Sequence, residues 1–218
     1  MTTAQLLEEA WWGAARCLPW RLSGTPEYPV LFVNDETHAL VNRLGCGRSW
    51  RGQAPSYRGI ALLPPEVVAV VVRLRGIRGL RGLSTRGRAV VDLLAERLKQ
   101  YRRTGVAIIQ DGPDRQYRDK IVRHECFHLF QYRYRNRLHK RSVVKALIKH
   151  PATSTAIPYL KKHGYDVGSA ALIVEEVAAC AFSGDHHFIG LRRREAADWL
   201  SAYFRQFAVP RCAQIPSN

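Results

Sequence analysis

Five consecutive residues, His124-Glu125-Cys126-Phe127-His128, hold the groups that metal-assisted hydrolysis needs. On a helix, residues four apart stand on one face, a turn from each other. The two imidazoles of this His-Glu-x-x-His pattern can then share one zinc ion as cofactor. Glu125, next to the first histidine, reaches the remaining coordination position. There its carboxylate can take a proton from a water acidified by the metal and hand it to a leaving amine. The 218 residues include 8 histidines and 10 glutamates, so chance would place the pattern about 0.01 times. The competing assignment is a helix surface on which two histidines flank a glutamate.

A catalytic zinc site wants a third protein ligand. The longer pattern with a histidine six residues after the second is absent, because position 134 is Tyr134. His139 lies eleven residues past His128 and rotates off the ligand face of a straight helix. His150 and His163 are further candidates. Glu175 and Glu176 stand inside the apolar run Leu172-Ile173-Val174-Glu175-Glu176-Val177-Ala178-Ala179-Cys180-Ala181. Burying two carboxylates there is unfavourable unless they are paired or coordinated, which makes either one the stronger candidate.

These groups need a scaffold. Thr2–Cys17 has helical spacing closed by Pro19. Tyr28–Asn34, Gly59–Leu63 and Val106–Gln110 are short apolar runs that predict strands, and His38–Leu44 and the β-branched Val67–Leu74 are read the same way. Leu44–Tyr57 reads as an irregular loop and Asp111–Asp114 as a turn. Arg73–Arg88 recurs in Gly and Arg and reads as a mobile loop. Ser84 or Thr85 can cap a helix over Gly87–Arg103 with Val90, Leu93, Leu94 and Leu98 as its core stripe. The spacing predicts a long helix over Arg115–Leu138, which carries the motif, and further helices over Val143–Lys149, Val167–Phe182 and Leu191–Phe207, with Pro158–Tyr165 as a connector. Strands before helices imply an α+β fold, strand-rich over 20–110 and helical over 115–207. No linker is visible, so 1–218 reads as one domain.

Composition sets outer limits. Hydrophobic residues make up 46% and charged residues 24%, an ordinary globular balance that excludes a disordered chain. No apolar stretch approaches the length of a membrane span, so no membrane partner is expected. Met1–Pro19 carries Glu8 and Glu9 and does not read as a secretory signal. The five cysteines include no Cys-x-x-Cys pair, which argues against a disulfide framework and for a reducing, cytoplasmic setting. Cys46, between two glycines, is a flexible thiol able to approach a metal; a plain turn thiol is the simpler reading. The net charge is +16, with 27 Arg against 7 Lys. Arginine suits bidentate contacts to phosphate and carboxylate. Two clusters, 73–88 and 133–141, are candidate surfaces for nucleic acid or acidic proteins. In the second, Tyr132 and Tyr134 interleave with Arg133, Arg135 and Arg137; such rings can stack bases or simply pack inward.

Over about Gly105–Gly184 the sequence resembles the zincin metallopeptidases, and among them the gluzincin type, whose third ligand is a Glu on a later helix. His124-Glu125-Cys126-Phe127-His128-Leu129-Phe130-Gln131-Tyr132 is similar to a bacterial zincin family with His-Glu-x-x-His-x-x-Gln-Tyr. Glu176-x-x-Ala179-x-x-Phe182-Ser183 is similar to the Glu-x-x-Ala-x-x-Phe of the ImmA/IrrE-type zincins. The resemblance implies His124, His128 and Glu176 as metal ligands, with Glu175 second in line, and Glu125 as base and then acid. It implies a small mixed sheet whose edge strand lines a peptide cleft, for which Val106–Gln110 is the candidate. Such sites use a donor to the oxyanion; His163, Tyr165, His186 and His187 are candidates, and His186 and His187 are the best placed in sequence. Neither Glu has an Asp four residues on, and Asp185 or Asp166 is the replacement for that supporting carboxylate. Gln131, about one turn after His128, could hold a neighbouring loop or lie exposed. The expected activity is zinc-dependent hydrolysis of peptide bonds in a protein or peptide substrate. The alternatives are a nucleic-acid-associated protease, loosely analogous to SprT-like repair proteases, and a non-catalytic zinc-binding protein with an Arg-rich surface.

Overall fold

The computed structural model describes residues 28–33, 35–45, 58–78, 85–110, 115–138 and 140–205. The chain divides into two compact units, Met1–Tyr132 and Arg133–Asn218. The fold is α+β and mostly helical, with one small mixed sheet. Among the described residues, no helix is long and apolar enough to cross a membrane. The expected first helix, the loop over 46–57, the turn at 111–114 and residues 79–84 lie outside the described residues.

The first unit runs β1 (Val30–Val33), α1 (Asp35–Gly45), β2 (Gly59–Leu62), α2 (Pro64–Arg78), α3 (Thr85–Lys99) and β3 (Val106–Gln110), then α4 (Arg115–Arg133). The sheet order is β1-β3-β2, with β1 parallel and β2 antiparallel to β3. Val106–Ile109 are fully buried, as an apolar, largely β-branched run in a central strand should be. β3 is therefore not the edge strand that the sequence suggested. Both of its sides are paired, and among the described residues the edges are β1 and β2. Gly105 turns the chain into β3 at φ +75°, and a Cβ there would stand 2.7 Å from the Leu62 carbonyl oxygen, so only glycine fits.

Two expected strands are helices. In α2, Val67, Val70, Val71 and Leu74 are buried, while Val68 is 50% and Val72 62% exposed. That is helical spacing, and the β-branched composition disguised it. Pro64 and Pro65 occupy the first turn, where a missing N–H is harmless. Glu66 Oε2 accepts a hydrogen bond from Leu63 N at 2.9 Å, capping the start. In α1, His38, Val41 and Gly45 are buried at spacings of three and four. Among the described residues of 20–110, helices thus intersperse the strands, and Arg73–Arg78 completes α2 instead of opening a loop. α3 begins at Thr85 and buries Val91, Leu94, Ala95 and Leu98; Leu93, expected in the core, is 59% exposed. These side chains join Val41, Leu62, Val70, Leu74, Val106 and Ile108 in one core.

The second unit is helical: α5 (Arg135–Leu138), α6 (Arg141–Ile148), α7 (Pro151–Lys162), α8 (Ala170–Ser183), a 3-10 turn (His186–Ile189) and α9 (Arg193–Arg205). The long helix expected over 115–138 is broken at Tyr134. Pro158 lies inside α7 and does not begin a connector; it removes one internal N–H donor, and the helix continues. α8 packs against α6, α7, α9 and the 3-10 turn. It starts at Ser169, whose hydroxyl accepts from Leu172 N, and ends at Gly184 in the left-handed conformation. Trp199 Nε1 donates to Thr153 Oγ1 at 2.8 Å, and that hydroxyl donates to the Leu147 carbonyl at 2.7 Å, so a buried polar chain ties α9 to α7 and to the end of α6.

Candidate metal centre

α4 carries the His-Glu-x-x-His pattern inside the first unit, as its spacing requires. The helix buries Val122, Cys126, Phe127, Leu129 and Phe130. The Arg118 guanidinium lies 5.6 Å from the centroid of Phe32 on β1. His124 and His128 are half-buried, with Nε2 atoms 3.1 Å apart and rings edge to face at 4.8 Å. A tetrahedral zinc with Zn–N of about 2.0–2.1 Å would hold two nitrogens about 3.3–3.4 Å apart. The pair fits that ion to within a few tenths of an ångström.

Glu125 is buried, with 8% of its surface exposed. Space for its side chain comes from β2: a Cβ on Gly59 would stand 2.8 Å from Glu125 Cγ, 3.0 Å from Oε1 and 2.4 Å from Ile121 Cγ2. The residue beside the carboxylate must therefore lack a side chain, and it sits on the antiparallel edge strand.

Sequence reasoning missed the support of His128. Gln131, expected to hold a loop or lie exposed, is 2% exposed and places Oε1 2.9 Å from His128 Nδ1. The signal was present: i and i+3 share a helix face. Glu66, on the first turn of α2, was also missed. Burial raises its carboxyl pKa above the ordinary value, opposed by the Leu63 N–H bond and by the His128 charge. Cys126 lies within the motif and its pKa is pushed up to about 12, first by burial and then by the Glu125 charge. It stays a thiol at neutral pH and packs as a small apolar group.

Most of the remaining candidates belong to the second unit. Glu175 and Glu176 are both half-buried on α8, between the buried pairs Ile173-Val174 and Val177-Ala178. His186 is half-buried and His187 exposed on the 3-10 turn, ring centroids 5.8 Å apart. His150 is a helix cap: its Nδ1 accepts from Ala152 N at 3.3 Å at the start of α7. His163 closes that helix and stacks on Phe188 at 3.9 Å. Burial, and then the Lys162 charge, lowers its pKa below the ordinary 6.5. Asp166 is exposed and folds back on Gly168 N at 2.8 Å, a local turn. Tyr132 and Tyr134 are half-buried, while Arg133 and Arg135 are exposed. His139, Cys46 and the side chain of Arg137 lie outside the described residues.

Comparison with family models, with curated proteins and with solved structures finds no match to this chain.

Proposed function

We propose that this chain is a zinc-dependent peptidase of the gluzincin type, in which His124, His128 and Glu176 hold one zinc ion. Two imidazoles and a carboxylate are a group that could hold a metal ion. The observation that carries the reading is the histidine pair, with Nε2 atoms at 3.1 Å and Glu125 buried beside it against Gly59. Zinc bound there would polarise a peptide carbonyl and make a water more acidic. Glu125 takes the proton of the attacking water on a carboxylate oxygen and returns it to the departing amine nitrogen. Gly59 on β2 lets the Glu125 side chain pack directly against the strand backbone. His186 or His187 supplies an N–H to the carbonyl oxygen as charge develops, and Glu175 is the alternative to Glu176 as third ligand.

Glu125→Gln keeps the shape and loses the base. That variant should bind zinc as the wild type does and lose hydrolysis of an unfolded protein substrate by roughly 10²–10⁴-fold. Hydrolysis at the wild-type rate would sink the mechanism.

A second reading places the peptidase on nucleic acid. The net charge is +16, and Arg75, Arg88, Arg97, Arg102 and Arg103 are exposed on α2, α3 and the turn after α3. An open depression lined by Glu96, Lys99, Gln100, Arg102 and Arg103 lies in the same region. Binding to duplex DNA that weakens steeply with salt supports this reading, and no binding at low salt removes it.

A further inference from the structure

His128 has a polar neighbour at each ring nitrogen. Nδ1 is 2.9 Å from Gln131 Oε1, and Nε2 is 3.1 Å from His124 Nε2. An amide carbonyl oxygen only accepts, so the Nδ1 side of the ring must donate to it. In the neutral imidazole the single proton then sits on Nδ1, and Nε2 presents its lone pair toward His124. An imidazole without such a partner divides its proton between the two nitrogens, and the form protonated at Nε2 cannot bind a metal there. Gln131 is only 2% exposed. Burying an amide is unfavourable unless its polar atoms are satisfied, whereas leucine or methionine would enter an apolar helix face at no such cost. A glutamine here therefore calls for a reason beyond packing, and the bond to His128 supplies one.

We infer that Gln131 is a positioning residue that sets the tautomer and ring orientation of His128 before metal arrives. The inference rests on the reading of His124 and His128 as metal ligands. Support of this kind from a neighbouring group commonly changes metal affinity by about 10–100-fold. Here the supporting group is a neutral amide from the same helix, three residues on. A carboxylate in its place would raise the basicity of the ring further, so Gln131→Glu should not weaken the site.

The test uses the full chain and two readouts. Long-range ¹H–¹⁵N correlation spectra of the metal-free protein at neutral pH report the His128 tautomer. Competition with a chromophoric chelator reports zinc affinity. The wild type should show His128 protonated at Nδ1. Gln131→Leu should lose that preference and bind zinc about 10–100-fold more weakly, while Gln131→Glu should keep the tautomer and bind at least as tightly as the wild type. If the leucine variant does not fold, Gln131→Met, which keeps the length and loses the acceptor, replaces it. An unchanged tautomer and affinity in the apolar variant would overturn the inference. So would equal weakening by Leu and Glu, which would mean that the side chain only fills space. A wild-type protein that binds no zinc would refute the metal-site reading alone, because the tautomer comparison in metal-free protein still decides the role of Gln131.

Discussion

The contact between Gly59 and Glu125 converts into a sharp expectation. A methyl group added at Gly59 would stand 2.4 Å from Ile121 Cγ2 and 2.8 Å from Glu125 Cγ. Carbon atoms in good contact lie about 3.5–4.0 Å apart, so each clash must be relieved by a shift of roughly 1 Å. β2 cannot recede freely, because Gly59 pairs with Ile109 and the Arg58 carbonyl accepts from Gln110 N. The displacement therefore falls on Ile121 and on the Glu125 side chain. Overpacking of this size costs about 1–3 kcal/mol, and a carboxylate moved by about 1 Å loses on the order of 10²-fold in a reaction that needs it placed. Gly59→Ala should lower the stability of the first unit by that amount in chemical denaturation. It should keep zinc, since neither histidine is touched, and cleave an unfolded protein about 10²-fold more slowly. Wild-type stability together with wild-type turnover would refute the argument that this edge-strand glycine makes room for the base.

Other expectations are independent of zinc. Val70→Ala on α2 should cost about 2 kcal/mol, whereas Val72→Ala should stay within about 0.5 kcal/mol; equal effects would indicate a strand, in which the two positions share a face. Thr153→Val removes the acceptor for the buried Trp199 N–H and should cost about 1–3 kcal/mol, with a change in tryptophan emission. His163 has a pKa held below its ordinary 6.5, so the unfolded chain binds the proton more readily. Its contribution is whole above about pH 6.5 and fades as pH falls below it. The difference in melting temperature between wild type and His163→Phe should therefore be constant above about pH 6.5 and shift against the wild type as pH falls below it; a difference independent of pH would contradict this.

Much of the framework of the candidate site was legible in the residues themselves. The motif helix followed from the four-residue spacing of His124 and His128, and β3 from the run Val106–Ile109. The helix bearing Glu175 and Glu176 was also legible, because fourteen residues between Ser169 and Gly184 have both caps. α2 was misread because local β-branching outweighed periodicity. Burial at 67, 70, 71 and 74 with exposure at 68 and 72 is a tertiary fact, though Pro64-Pro65 followed by Glu66 was a helix-start signal in plain view. The central position of β3 depends on pairing from β1 and β2, which no property of β3 alone reveals. Pro158 opened a connector on paper because its missing N–H counts heavily in isolation, whereas it lies inside α7, where Ala156 and Leu160 on either side are buried.

The most direct test of the central claim is zinc stoichiometry and affinity, measured by elemental analysis and chelator competition on the full chain. One zinc per wild-type chain is expected, retained by Glu125→Gln and lost or greatly weakened in His124→Ala, His128→Ala and Glu176→Ala. A wild type that holds no zinc, or a Glu176→Ala variant that binds as tightly as the wild type with Glu175 also removed, would contradict the proposed metal centre.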